Sequence, residues 1–217
     1  MNHAETMDHI YRFQRHFYDT TRRFFLFGRN TLLDAMAISE EDKVLELGCG
    51  TGRNLILLAE RHPKAALFGV DASGQMLATA SRRIAARGLS PRIALAAGLA
   101  ENLNPKSMFG VPLEFDKAFF SYSLSMMPNW QEALGAAFNQ LKPGGTLHVV
   151  DFWDQESWPA PLKRLTTRWL ALFQVRFEPE VIPTLSRHFA GRGQSLSLRS
   201  IAGRYAFLAS PAPSSSK

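Results

Sequence analysis

The chain has 217 residues, 46% hydrophobic and 20% charged, which is ordinary usage for one globular domain with a buried core. That composition excludes disorder, collagen-like repeats and a disulfide scaffold, and the single cysteine, Cys49, leaves no intramolecular disulfide and no cysteine-only zinc site. Lys and Arg number 25 against 19 acids, a net charge of +6, which points to an anionic partner, either nucleic acid or a membrane surface.

Residues 7–37 read as a helical extension. Within it, residues 11–29 hold five arginines, one acid and seven aromatics. Strands are predicted at 43–48, 66–71, 92–97, 115–121 and 146–152, with helices at 52–61, 74–87 and 130–141 between them. Strand–helix alternation with short apolar strands argues for a parallel sheet covered on both faces. A second basic amphipathic stretch, 158–176, places Leu162, Leu165, Trp169 and Leu172 on one face, with Lys163, Arg164 and Arg168 around it. Both basic segments suit a membrane interface, and both also suit a helix that packs its apolar stripe on the sheet. A hairpin is expected at 195–201 and 204–209. The expected division is a lid-forming extension over 1–42, a core over 43–209 and a disordered tail over 210–217. No apolar run approaches about 18 residues and the first residues lack a signal h-region, so neither a transmembrane segment nor a signal peptide is expected. The single cysteine suits a reducing compartment.

The stretch VLELGCGTGRN, residues 44–54, carries the most chemistry. A strand ends in Glu46, Gly48, Gly50 and Gly52 follow at alternate positions, and a helix begins. Such glycines let the backbone approach a ligand closely. A dinucleotide loop would place its third glycine one residue later and the pyrophosphate on the helix N-terminus, whereas an acid before the loop suits a cation. Asp71 ends the second strand nineteen residues past Gly52, where an acid grips ribose hydroxyls. His148 inside the fifth strand reads as a core residue, and Cys49 as packing inside the loop.

This E-x-G-x-G-x-G loop, with Asp71 and the LKPGG turn at 141–145, resembles the class I S-adenosylmethionine-dependent methyltransferases. The resemblance implies a Rossmann-like α/β fold with a mostly parallel seven-stranded sheet, helices on both faces and an N-terminal helical extension. It also implies S-adenosylmethionine as cofactor, with Glu46, Gly48, Gly50 and Gly52 at its amino-acid end, Asp71 on its ribose and Met76 against its adenine. Where this family usually carries an adenine-binding acid the chain has Leu99, which leaves adenine to the backbone at Leu99 or Ala100, or to Glu101. No metal is implied.

The segments YRFQRHFYDTTRRFFLFGRN, SYSLSMMPNW (121–130), LHVVDFWDQ (147–155) and RYAFLA (204–209) look like the bacterial betaine-lipid N-methyltransferases, which add three methyl groups to the amine of diacylglyceryl-homoserine. That resemblance implies a lipid substrate at the inner membrane surface and a cytoplasmic, peripheral enzyme. Tyr122 is expected to line the amine site and Asp151 to orient the amine or a water. Ser121 joins the cofactor set, Tyr18 is the expected lid contact, and Arg22 or Arg29 is expected to pair with a carboxylate. Tyr18, Tyr122, Trp130 and Trp153 are candidate walls for a quaternary ammonium. Phosphatidylethanolamine or a small amine is the alternative acceptor. RNA methylation is disfavoured, because no RNA-binding module or N-P-P-Y-type motif is present and the arginines interleave with Phe and Leu. A non-catalytic membrane-associated protein is the remaining class, motivated by Leu99.

Overall fold

The computed structural model describes residues 26–110, 112, 114–171, 175 and 177–213. Seven strands form one sheet: β1 (Lys43–Leu47), β2 (Ala66–Asp71), β3 (Ile93–Ala97), β4 (Phe115–Ser121), β5 (Leu141–Phe152), β6 (Leu196–Ile201) and β7 (Ala206–Pro211). Their order is β3-β2-β1-β4-β5-β7-β6. The first five run parallel, and β7 pairs antiparallel with both β5 and β6. The chain direction across the sheet reverses between β1 and β4, and ligands of such sheets bind outside the carboxyl ends at that switch point.

Among the described residues the helices are α1 (Arg29–Ala35), α2 (Arg53–Arg61), α3 (Gly74–Ala85), α4 (Pro105–Phe109), α5 (Trp130–Asn139), α6 (Ala160–Ala171) and α7 (Val181–Gly191). They divide between the two faces because successive strand side chains point opposite ways. Leu45, Phe120, Val149 and Phe207 belong to a core shared with α5 and α7. Their neighbours Val44, Phe119, Val150 and Leu208 belong to a second core shared with α1, α2 and α3. Both faces of the central strands are thereby dry, which explains why they read as continuous apolar runs.

The predicted strands and the three predicted core helices are all present, with small shifts at their ends. LKPGG differs from the expected turn: it lies within β5 as a bulge. Phe115 pairs with Leu141 and Lys117 with Thr146, so Lys142–Gly145 bulge opposite Asp116. At Gly145 a β-carbon would lie 2.9 Å from the carbonyl oxygen of Phe115, so no other residue fits there unchanged. α7 has no counterpart in the sequence reading, and its one proline is Pro183. It occupies the first turn, where the missing N–H has no intrahelical partner to lose, and Val181, Leu185 and Phe189 are buried at helical spacing. Among the described residues no helix is long and apolar enough to cross a membrane.

α6 corrects the expected packing face. Leu170 is buried and Trp169 packs against the second core, whereas Leu162 and Leu165 are 46% and 67% exposed. Leu172 lies outside the described residues.

His148 is a core residue, 3% exposed, with its Nε2 3.0 Å from the Thr146 hydroxyl. Burial, and then nearby Lys117, lower its pKa from 6.5 to about 3. An unfolded chain takes up a proton here below about 6.5 and the folded chain does not until about 3. Stability through this group is therefore complete above pH 6.5 and falls as the pH drops. Urea unfolding at pH 7 and pH 5 is expected to show an acid loss of about 2 kcal/mol from this group, absent in His148→Gln.

Candidate cofactor and acceptor site

The loop after β1 is built by backbone bonds to its neighbours. Gly48 and Cys49 N–H both donate to the Val70 carbonyl, at 2.8 and 3.1 Å. Gly48 has φ +75°, and a β-carbon there would lie 2.4 Å from the Ser123 β-carbon, so glycine lets the loop pass against the segment that follows β4. Ser123 Oγ donates to the Leu47 carbonyl at 2.7 Å and closes that contact. Gly52, with φ +71°, caps α2 and packs against Ala80 of α3. It joins loop to helix and does not wall the clefts described below.

Asp71 fixes the loop from the adjacent strand. Its Oδ2 accepts from Gly50 N–H at 2.7 Å and its Oδ1 from Ser73 N–H at 2.9 Å. Ser73 in turn caps α3 by accepting from Met76 N–H. These residues border a cleft at the switch point, where sheets of this kind bind their ligands. Its walls include the predicted Gly48, Gly50, Asp71, Met76, Leu99 and Ala100, and Glu101 as well. Glu101 stands on a 3-10 turn, Ala100–Asn102, and its Oε1 accepts from Asn129 Nδ2 at 3.0 Å. Ser123, Met126, Met127 and Pro128 complete the wall. The sequence reading assigned these four no role, although they lie inside the quoted segment 121–130.

A second cleft shares Gly48 with the first and holds the predicted Glu46, Arg29 and Ser121. Glu46 is 1% exposed, and its Oε1 accepts from Asn54 Nδ2 at 2.7 Å, a partner the sequence gave no sign of. Ser121 is 8% exposed, and its buried hydroxyl has no partner among the described residues. A buried hydroxyl without a bond is costly unless a ligand supplies one. A buried acid and an orphaned hydroxyl at a glycine loop fit the amino-acid end of S-adenosylmethionine, with its ammonium group. Cys49 is buried and its thiol is pushed well up by burial, then by Asp71 and Glu46, so it stays a thiol and packs.

Of the two predicted catalytic residues, Tyr122 stands at a cleft as expected but turns its hydroxyl onto backbone, and Asp151 is bound by backbone N–H groups. Tyr122 borders the first cleft, but its side chain is fully buried and its hydroxyl donates to the Phe27 carbonyl. Burial, then Tyr205 and Asp151, raise its pKa well above the usual value. Tyr122 therefore holds the segment before α1 against the sheet edge instead of presenting its hydroxyl to an amine. Asp151 is 2% exposed, with Oδ2 accepting from Ser125 N–H and Oδ1 from Phe152 N–H, at 2.9 and 2.8 Å. Burial raises its pKa against the pull of the bonds from Ser125, Phe152 and Leu124. It anchors the turn that carries the Met126–Pro128 wall and has no access to a bound amine. Trp130 is a core residue, and the face of Trp153 is covered by the Arg204 guanidinium at 4.4 Å, so neither offers a ring to a ligand cation. Tyr18 and Arg22 lie outside the described residues.

Asp71→Ala removes both backbone anchors together with the acid that the sequence assigns to the ribose. Calorimetric titration with S-adenosylmethionine is expected to show at least tenfold weaker binding, roughly 1.4 kcal/mol or more. Asp71→Asn, which keeps one acceptor oxygen, falls between. Unchanged affinity in Asp71→Ala would remove the ribose from this position.

Residues 38–181, more than half of the chain, match the family model described as a methyltransferase domain. A demethylmenaquinone methyltransferase of Thermus thermophilus is 31% identical over 140 residues, covering 62% of this chain and 60% of that protein. The chain spans about three fifths, or less, of the length of the curated relatives it matches. A crystal structure of a SAM-dependent methyltransferase from Aquifex aeolicus superposes with a TM-score of 0.62 at 20% identity, covering 88% of this chain and 92% of that one. Phosphoethanolamine N-methyltransferase 2 of Haemonchus contortus, solved with S-adenosyl-L-methionine, gives 0.64 at 16% identity, covering 82% and 39%. At such identities the likeness establishes the fold alone. Loop, cleft, fold and family model agree: the chain belongs to the methyltransferase-domain family, in its class I fold, with S-adenosylmethionine as the cofactor that fold and family imply.

Proposed function

We propose that the protein is an S-adenosylmethionine-dependent N-methyltransferase of a lipid amine at the inner membrane surface, converting diacylglyceryl-homoserine to its trimethylated betaine lipid. The observation that carries the membrane reading is the surface of α6. Leu162 and Leu165 stand exposed with Lys163, Arg164 and Arg168 on the same short helix. Apolar side chains that insert, flanked by cations that meet headgroup phosphates, supply the two contributions an interfacial helix needs.

This surface adjoins the cleft through a chain of aromatic contacts. Trp158, just before α6, stacks on Tyr205 at 5.4 Å, and Phe27 meets the edge of Tyr205 at 5.6 Å. Phe27 is itself 47% exposed and accepts the Tyr122 hydroxyl bond at the cleft border. The cofactor supplies an electrophilic methyl on a sulfonium sulfur, and two clefts that share Gly48 support a reading in which an acceptor amine is brought beside it. Positioning is the main requirement of such a displacement. Tyr122 and Asp151 have structural partners, so the amine arrives deprotonated or gives its proton to solvent.

Mixed micelles of diacylglyceryl-homoserine with methyl-labelled cofactor test the reading directly. Up to three labelled methyl groups per acceptor are expected in the lipid fraction. No label there, with cofactor binding intact by calorimetry, would sink it. Phosphatidylethanolamine and free small amines in parallel reactions identify the acceptor in that case.

A further inference from the structure

The end of β4 and the turn after it serve both clefts with three consecutive residues. Ser121 walls the second cleft, while Tyr122 and Ser123 wall the first. Between the two serines Tyr122 adopts φ +56°, a left-handed backbone that a bulky side chain rarely takes. Such a conformation persists only where the surrounding structure over-determines it, and it marks a residue whose direction matters. Here the side chain is fully buried, and its hydroxyl donates to the Phe27 carbonyl, 95 residues earlier in the chain.

Phe27 is the middle of a short strap, and the residues on either side of it wall the second cleft: Leu26 before α1 and Arg29 at its start. Gly28 has φ +83°, and a β-carbon there would collide with Ile201 Cδ1, so the strap passes hard against β6. The Gly28 carbonyl accepts from Leu32 N–H at 2.8 Å as α1 begins. Tyr205 meets Phe27 by ring edge alone, and its own buried hydroxyl has no partner among the described residues. Within this aromatic cluster the polar tie to the strap therefore comes from Tyr122.

We infer that the Tyr122 hydroxyl is a positioning group for the amino-acid end of the cofactor. By holding the Phe27 carbonyl it sets Leu26 and Arg29 in the wall that they share with Glu46 and Ser121. The inference rests on the placement of that end in the second cleft and is indifferent to which acceptor is methylated. Its consequence is selective. The adenosine end belongs to the first cleft, with Asp71, Met76 and Leu99, and does not depend on the strap. Phenylalanine at position 122 keeps the ring beside the first cleft and removes only the bond to Phe27.

The test is calorimetric binding of two probes, S-adenosylhomocysteine and methylthioadenosine, which lacks the amino-acid end. In Tyr122→Phe the first is expected to bind roughly fivefold more weakly, or worse, and the second within about twofold of wild type. A general loosening of the fold would weaken both alike. Gly28→Ala disturbs the strap from its other side and is expected to reproduce the selective loss. Tyr205→Phe removes a hydroxyl that has no partner and is expected to leave both affinities unchanged. Glu46→Gln reports on the cleft itself and is expected to weaken S-adenosylhomocysteine alone. Unchanged S-adenosylhomocysteine affinity in Tyr122→Phe, with Glu46→Gln selectively weakened, would overturn the inference and leave the cofactor placement standing. Equal losses for the two probes in Tyr122→Phe would overturn it too, by reducing the bond to a structural one. If Glu46→Gln also spares S-adenosylhomocysteine, the placement of the amino-acid end fails and the inference falls with it.

Discussion

One carboxylate organises the binding edge of this sheet. Asp71 leaves the end of β2 with both oxygens directed at backbone N–H groups, Gly50 in the loop after β1 and Ser73 before α3. These are charge-assisted bonds to groups that would otherwise be orphaned at a tight turn. They hold two consecutive strand-to-helix junctions in one relative position, and the first cleft is the space between them. Asp71 is only half-buried and lines the cleft that it shapes.

The far wall uses a related device. Asp151 and Tyr122 are polar residues at strand ends, where a methyltransferase sheet presents its ligands, yet both are consumed by backbone. Asp151 holds the turn after β4 from β5. Tyr122 adopts φ +56° at that same turn and reaches Phe27. Ser123 ties the turn to β1. Three adjacent bonds, to β5, to β1 and to the segment before α1, thus pre-organise a wall that carries two half-buried methionines and an exposed proline. Preorganisation of this kind is what a displacement governed by positioning requires.

Where sequence and structure agree, the pattern itself was physical. The five parallel strands are short apolar runs because both faces are covered, and the glycine loop is legible because Gly48 and Gly52 need a left-handed backbone beside close neighbours. Asp71 was legible from its spacing, and Leu99 and Ala100 from their place after β3. The departures have equally physical origins. A one-dimensional pattern does not distinguish a strand-end polar group aimed into a cleft from one folded back onto backbone, as the Tyr122 hydroxyl and the Asp151 carboxylate are. The bulge in β5 resembles a turn because both need glycine, and α7 carries a proline that costs nothing in a first turn. Asn54 was invisible as a site residue because its significance lies in what it meets across the loop, Glu46.

The excess of positive charge separates into different environments once the fold is known. Arg92 and Arg192 spend their guanidinium groups on backbone carbonyls at helix and strand ends, and Arg204 covers Trp153 while pairing with Asp154. These arginines serve the fold and have little left for a partner. Lys163, Arg164 and Arg168 stand instead on a helix whose exposed leucines give the fold nothing, since Leu170 and Trp169 already anchor it. Exposing leucine to water has a cost of order 1.5–3 kcal/mol relative to burial. A chain that needed only solubility would place polar residues at 162 and 165. Leucines retained there among cations combine charge with apolar area on one short helix, a pairing that the proposed lipid acceptor would use on both counts.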